Sequence, residues 1–208
     1  MECVFGLVGD GFALIAADSS AVNSILVHKS NEDKIMVLDS HKLLGASGEA
    51  GDRAQFTEYI QKNVHLYQFR NGIPLTTAAA ANFTRGELAT ALRKEPIFCE
   101  HLLAGYDKEV GPSLYYIDYI ATLHKLDKGA FGYGSYFSLS MMDRHYRNRM
   151  SLEQAIDLAT SASSRSVLGW SSLPQTSSSR SSTRMERGST RGVNPFHQYD
   201  GYVHSIVS

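Results

Sequence analysis

Hydrophobic residues are packed most densely at the start of the chain, where two apolar runs, 4–8 and 12–17, flank Gly9-Asp10-Gly11. Runs of this length around a Gly/Asp cluster predict two strands joined by a tight hairpin. Asp10-Gly11 supplies the residues that tolerate positive φ in such a turn. Polar alternation is nearly absent, so the pattern predicts a sheet covered on both faces. The second strand delivers a carboxylate, Asp18, beside the end of the first. Opening directly on a core strand, the chain is expected to carry no secretory leader.

Further on the pattern changes period. Ile25-Leu26-Val27 is a short strand candidate, and 35–38 with 43–47 form another hairpin pair around Asp39-Ser40-His41-Lys42. After Gly48-Glu49-Ala50-Gly51-Asp52, the residues Phe56, Ile60, Val64 and Tyr67 recur at helical spacing. A helix is predicted over about 52–70, stopped by Asn71-Gly72 and Pro74. A second begins near Thr76, carries Ala80, Phe83, Leu88, Ala91 and Leu92 on one side, and ends before Pro96. Strand-like segments follow at 98–106, 113–119 and 121–125. Gly132-Tyr133-Gly134 then leads into a helix over about 135–146. Ser151-Leu152-Glu153-Gln154 is a capping box ahead of Ala155, Ile156 and Leu158. Strands, helices, strands and helices in segregated runs predict an α+β fold with helical layers on a sheet core.

Composition narrows the classes. The 208 residues allow one domain, or one domain with an appendage. Twenty basic residues against twenty-one acidic ones leave no charge excess that would favour nucleic acid or an anionic membrane. No apolar stretch approaches the roughly 18 residues of a bilayer span. Two cysteines, Cys3 and Cys99, without a CxxC point to a reducing compartment, so a soluble protein of cytoplasm and nucleus is expected. His28, His41, His65, His101, His124 and His145 show neither an i, i+4 pair nor a cluster with cysteine, so no metal site is predicted. The Gly-x-Gly pairs at Gly9 and Gly132 read as turns, and no cofactor motif is found. Asn82-Phe83-Thr84 matches a glycosylation sequon and reads as a chance match.

Several short stretches together carry a family likeness. Ile15-Ala16-Ala17-Asp18-Ser19, Asp33-Lys34-Ile35, Ala46-Ser47-Gly48, Leu103-Ala104-Gly105-Tyr106-Asp107 and Gly132-Tyr133-Gly134-Ser135 resemble signatures of the proteasome β-subunit family. Glu49-Ala50-Gly51-Asp52, the run 55–63, Ala79-Ala80-Ala81-Asn82-Phe83-Thr84-Arg85 and Leu114-Tyr115-Tyr116-Ile117-Asp118-Tyr119 resemble its type-2 branch, also called β4, a non-catalytic member of the ring. The resemblance implies the four-layer αββα sandwich of N-terminal-nucleophile hydrolases. It also implies neighbouring α and β subunits as partners in a hetero-oligomeric 28-subunit particle that serves ubiquitin-dependent protein degradation, with no nucleic acid and no membrane.

Active relatives attack a peptide carbonyl with an N-terminal threonine whose free amine handles the proton. The resemblance places their supporting aspartate and lysine on Asp18 and Lys34, but the nucleophile falls on Glu2 and a glycine-flanked serine falls on Tyr133. Asp18 and Lys34 are therefore expected to persist as a relict ion pair, and no catalytic residue is assigned. The rival is an autonomous amidohydrolase whose N-terminal nucleophile would be Cys3 after trimming; the plainer expectation is a thiol packed as a small hydrophobe.

From Thr160 the chain changes character: residues 161–190 hold twelve serines with Arg165, Arg180, Arg184 and Arg187, and no lysine follows Lys128. The expected division is a β-subunit-like domain over 1–159 and a Ser/Arg-rich, disordered tail over 160–208, with the sandwich disrupted after about residue 159. The family continues here with a helix starting near Asp-Lys-Cys-Ile and strands ending at Lys-Asp-Gly-Ala. Codons for Thr160-Ser161-Ala162-Ser163, read in the neighbouring frame, give the first motif; codons for Arg184-Met185-Glu186-Arg187 give the second. One missing base near codon 159 or 160 accounts for both, and the resulting chain is expected to expose a sheet edge and to fold or assemble poorly.

Overall fold

The computed structural model describes residues 2–23, 26–171, 193–197 and 201–207. Two antiparallel sheets form the centre. One has the order β10-β1-β2-β12-β11, from β1 (Val4–Gly9), β2 (Phe12–Asp18), β10 (Lys128–Phe131), β11 (Val193–His197) and β12 (Gly201–Val207). The other has the order β5-β6-β7-β8-β9, from β5 (Ile35–Asp39), β6 (Lys42–Gly48), β7 (Cys99–Asp107), β8 (Gly111–Ile117) and β9 (Leu123–Leu126). A separate hairpin joins β3 (Ala21–Asn23) to β4 (Leu26–Lys29).

The opening hairpin is the axis of the packing, and its alternation explains why. Phe12, Leu14 and Ala16 of β2 face one layer with Phe5 and Leu7 of β1, while Ala13, Ile15 and Ala17 face the other sheet with Val4. Both faces are buried, as the unbroken apolar runs predict. Gly11 takes φ 76 in the turn between the strands.

Helices α1 (Ala50–Asn71) and α2 (Thr77–Ala91) cover the second sheet through Phe56, Ile60, Val64, Ala80 and Leu88 against Leu44 and Leu103. Helices α3 (Ser135–His145) and α4 (Leu152–Ser171) cover the first through Met142, Ala155, Leu158, Ala159 and Ala162. The result is the helix–sheet–sheet–helix sandwich expected.

The local signals act where they stand. Gly72 caps α1 in the left-handed region at φ 70, and its N–H donates to the Gln68 carbonyl. Asp107 at the end of β7 accepts the Thr77 N–H at 2.9 Å, closing the start of α2. Ser151 and Gln154 form the reciprocal bonds of a capping box, at 3.2 and 3.4 Å.

The chain around residue 159 is helical. Helix α4 runs through it to Ser171, and its buried stripe of Ala155, Leu158 and Ala159 continues to Ala162 one turn later. Small apolar and serine residues are compatible with helix, so the change in composition does not end it. Strand β12 pairs with β2 from Gly201↔Asp18 to Val207↔Phe12. The serine-richest stretch, 172–192, lies outside the described residues, and with it the expected disorder there. Among the described residues, no helix is long and apolar enough to cross a membrane.

Candidate functional site

Asp18 is the last residue of β2, and Lys34 ends the polar segment that feeds β5. Lys34 Nζ donates to both Asp18 carboxylate oxygens, at 2.9 and 3.0 Å. The Lys34 side chain has no exposed surface, and that of Asp18 is 18% exposed. The structure therefore brings together the two residues that the family likeness singled out. Asp18 Oδ1 also accepts the Cys3 N–H at 2.8 Å, and Oδ2 accepts the Ser20 N–H at 3.2 Å. One carboxylate thus ties the start of β1 to the end of β2 through charge-assisted bonds.

The third member is Glu2. Its Oε1 lies 3.5 Å from Lys34 Nζ. Its Oε2 accepts from the Ser47 hydroxyl at 3.1 Å and from the Gly48 N–H at 2.9 Å. Gly48 sits at φ 138, where L side chains are strained, and an added Cβ would run into the Phe98 carbonyl. Glycine is what lets the end of β6 turn its N–H onto the carboxylate. The Glu2 backbone is held as well, its carbonyl accepting the Gly134 N–H at 3.0 Å. Gly132, at φ 79, lies so close that a Cβ there would collide with the same carbonyl.

Tyr133, between those glycines, does not join the cluster: it is 73% exposed, and only the backbone of its turn reaches Glu2. Cys3 is buried with its thiol in the layer under α3, 3.8 Å from Ser138 Oγ and packed with Met142. The backbone of Lys34 is fixed by the Ala46 N–H at 3.1 Å. The segment before it is braced by Glu32, whose carboxylate takes Lys29 at 2.8 Å and the buried Arg53 of α1 at 3.2 Å. The Lys29 hydrogen bond, helped by Arg53, holds the Glu32 carboxyl below its usual range against the opposing effect of burial.

Burial shifts two neighbours of the cluster. Burial, with the Asp52 charge adding, pushes the Cys99 thiol up to about 12. It is an unreactive S–H, 3.6 Å from the Glu49 carbonyl. Burial also raises the Glu100 carboxyl, with the Asp118 and Glu2 charges adding to the effect. Elsewhere, the hydroxyl of the sequon residue Thr84 is buried in α2 and spent on the Ala80 carbonyl at 2.9 Å. Among the described residues, no group of three His, Cys, Asp or Glu side chains is placed to hold a metal ion.

Chemically, the arrangement is an ammonium, a hydroxyl and a backbone N–H converging on one carboxylate. Donors aimed at an oxygen anion are what acyl-transfer sites direct at a developing oxyanion. Here the anion is the chain's own Glu2. Sequence reasoning had paired Asp18 with Lys34 but did not single out Ser47 and Gly48 as partners of Glu2. The available signal was the glycine at the end of a buried strand, which marks close backbone approach.

A family model described as "Proteasome subunit" matches residues 2–167. Proteasome subunit beta type-2-A of Arabidopsis thaliana is 80% identical over 158 residues, covering 76% of this chain and 78% of the relative. Proteasome subunit beta type-2 of Oryza sativa subsp. japonica is 75% identical over 158 residues, covering 76% and 74%. Proteasome subunit beta type-4 of Saccharomyces cerevisiae is 38% identical over 160 residues, covering 76% and 81%. With the αββα sandwich and the Asp18–Lys34 pair in place, these matches establish that the chain belongs to the proteasome β-subunit family.

Proposed function

We propose that the chain is a structural, non-catalytic subunit of the β ring of the 20S proteasome core, seated among neighbouring α and β subunits in cytoplasm and nucleus. It contributes to ubiquitin-dependent degradation by the shape it gives the ring, while other subunits supply the nucleophiles. The observation that carries this reading is Glu2. At the nucleophile's position stands a carboxylate, and it occupies the Ser47 and Gly48 donors itself. A carboxylate already accepting these bonds offers no hydroxyl to activate. Asp18 and Lys34 then serve as a buried strut between β2 and β5.

The test is co-purification and intact mass. A tagged chain with the reading frame restored is expected to elute with the whole particle and to retain Glu2. Recovery of a chain beginning at Cys3, with thiol-dependent amide hydrolysis, would overturn the reading in favour of the cysteine amidohydrolase. Burial of the Cys3 thiol among apolar residues favours the structural role.

The change of reading frame is a second proposal, supported by the extent of the matches. Identity of 75–80% holds over 158 residues and does not extend through the remaining quarter of the chain. The proposed change near codon 160 lies within the span of α4. Transcript sequencing tests it: an uninterrupted frame through these codons refutes a missing base, and one absent base near codon 160 establishes it.

A further inference from the structure

We infer that Lys34, Ser47 and the Gly48 N–H form a carboxylate-binding site, and that Glu2 is its tethered occupant. The inference depends, as the non-catalytic reading does, on Glu2 being retained in the mature chain.

The donor set is built from three separate places in the fold. Lys34 comes from the segment before β5, with its side chain buried. Ser47 is buried at the end of β6, and Gly48 adopts the φ 138 conformation that only glycine takes without strain. All three meet on a side chain that is distant from each of them in sequence and that enters from the start of β1. Each oxygen of Glu2 has its own partner: Oε1 faces the ammonium, and Oε2 takes the hydroxyl and the amide. The contact to Oε1 is ionic, at 3.5 Å, and both hydrogen bonds go to Oε2. The Glu2 side chain is 31% exposed, so the place it occupies is reachable from solvent.

The ligand class follows from the geometry. Removal of the Glu2 side chain beyond Cβ leaves room for a short monocarboxylate, formate or acetate, held by the same donors. Asp18 already neutralises Lys34, and the Glu100 carboxyl lies within the field of Glu2, so the freed site binds weakly and selects small anions. The function of the tether is to dock β1: with the Glu2 carbonyl on Gly134, its carboxylate fixes the leading end of the strand to β6.

Chemical rescue tests this in the full chain. Glu2→Ala is expected to lower the thermal midpoint by roughly 5 °C, the scale of losing charge-assisted hydrogen bonds in a chain of this size. Sodium formate, compared with sodium chloride at equal ionic strength, should restore part of that loss with a saturable dependence on concentration. Wild type and Glu2→Gln, in which the place is filled, should respond to the two salts alike. If Glu2→Ala does not fold in chloride, refolding in formate supports the inference. Failure to fold in formate, with Glu2→Gln folded, overturns it. Equal responses of Glu2→Ala and wild type to formate also overturn it. Intact mass separates the two readings: a chain trimmed to Cys3 defeats both, whereas retained Glu2 without rescue defeats the tethered-ligand inference alone.

Discussion

Lys34 and His101 are both polar, and both side chains are buried without exposed surface, yet the fold treats them in opposite ways. Lys34 is given three carboxylate oxygens, two from Asp18 and one from Glu2. His101, in the layer between β7 and α1, has no hydrogen-bond partner for either ring nitrogen among the described residues. Its ring instead lies 5.0 Å from that of Phe56, tilted by 56°. One site keeps a charge by supplying partners. The other keeps a neutral ring by denying it water, and burial alone pulls the His101 imidazole down to about 3. A buried polar group is therefore not a functional signal by itself; the partners around it are.

The largest effect should come from unpairing Lys34. In Lys34→Ala the carboxylates of Asp18 and Glu2 are left beside each other at a largely buried site without their cation. Breaking a buried pair from one side costs about 3–5 kcal/mol, because the remaining charge keeps its desolvation penalty. Urea denaturation of the full chain measures this. A loss under about 1 kcal/mol would mean that solvent reaches the pair and screens it as at a surface.

Next in size is acid sensitivity from His101. In the unfolded chain its imidazole titrates near the ordinary value of 6.5, while in the fold it stays neutral down to about 3. Between those values the unfolded state binds the additional proton, so stability falls as pH falls. The penalty is absent above about pH 7, reaches about 2 kcal/mol at pH 5, and grows by about 1.4 kcal/mol per further unit until pH 3. The difference between the stability curves of wild type and His101→Leu isolates this contribution from the carboxylates. Parallel curves between pH 7 and 5 would show that the ring is protonated in the fold.

How far these two sites could be read from sequence differs for a physical reason. The opening hairpin, the change to helical period after Gly48 and the stop at Asn71-Gly72 are local signals, and they mark β1, β2 and α1 directly. Cys99, His101 and Leu103 alternate along β7, so period alone places the histidine with the core face. Being unsatisfied there is a matter of its neighbours from α1, which no local pattern encodes. The Asp18–Lys34 pair was legible only through family likeness, since composition and spacing do not join a strand end to a later segment. The Glu2 contacts with Ser47 and Gly48 were out of reach of any period, because they close across separate strands. Strand β10 was missed for a different reason. Lys128-Gly129-Ala130-Phe131 has too little apolar alternation to read as a strand, and its order comes from pairing with β1 at Val4↔Phe131. Strands β11 and β12 sit in the tail whose composition argued against order, and β3 is too short to show a period.

A smaller effect sharpens the Lys34 side of the contrast. Glu2→Gln keeps an oxygen for the Ser47 hydroxyl and the Gly48 N–H but removes the charge facing Lys34. With Asp18 still bound at 2.9 Å, the ammonium keeps its nearer partner. The expected loss is about 1 kcal/mol, that of a partly exposed charged hydrogen bond becoming neutral. A loss as large as that of Lys34→Ala would make Glu2, and not Asp18, the principal partner of the lysine.

The smallest effect is the most discriminating. His101→Leu at pH 8 replaces a neutral, unpartnered ring by an aliphatic side chain of similar size in a layer that already holds Leu44, Phe56 and Leu103. Substitutions that conserve volume in a core usually cost less than about 1.5 kcal/mol. Against that stands a gain, because two ring nitrogens no longer sit buried without partners, a condition that costs about 1–3 kcal/mol per group. Loss of the contact with the Phe56 ring returns about 0.5–1.5 kcal/mol in the other direction. Even the least favourable combination of these terms is a net loss of about 1 kcal/mol, so the variant should be at most that much less stable than wild type at pH 8. Its denaturation midpoint in urea measures this, alongside Lys34→Ala under the same conditions. If the two variants lose comparable stability at that pH, His101 is held by interactions as specific as those of Lys34, and the contrast between a partnered charge and a merely dry ring fails.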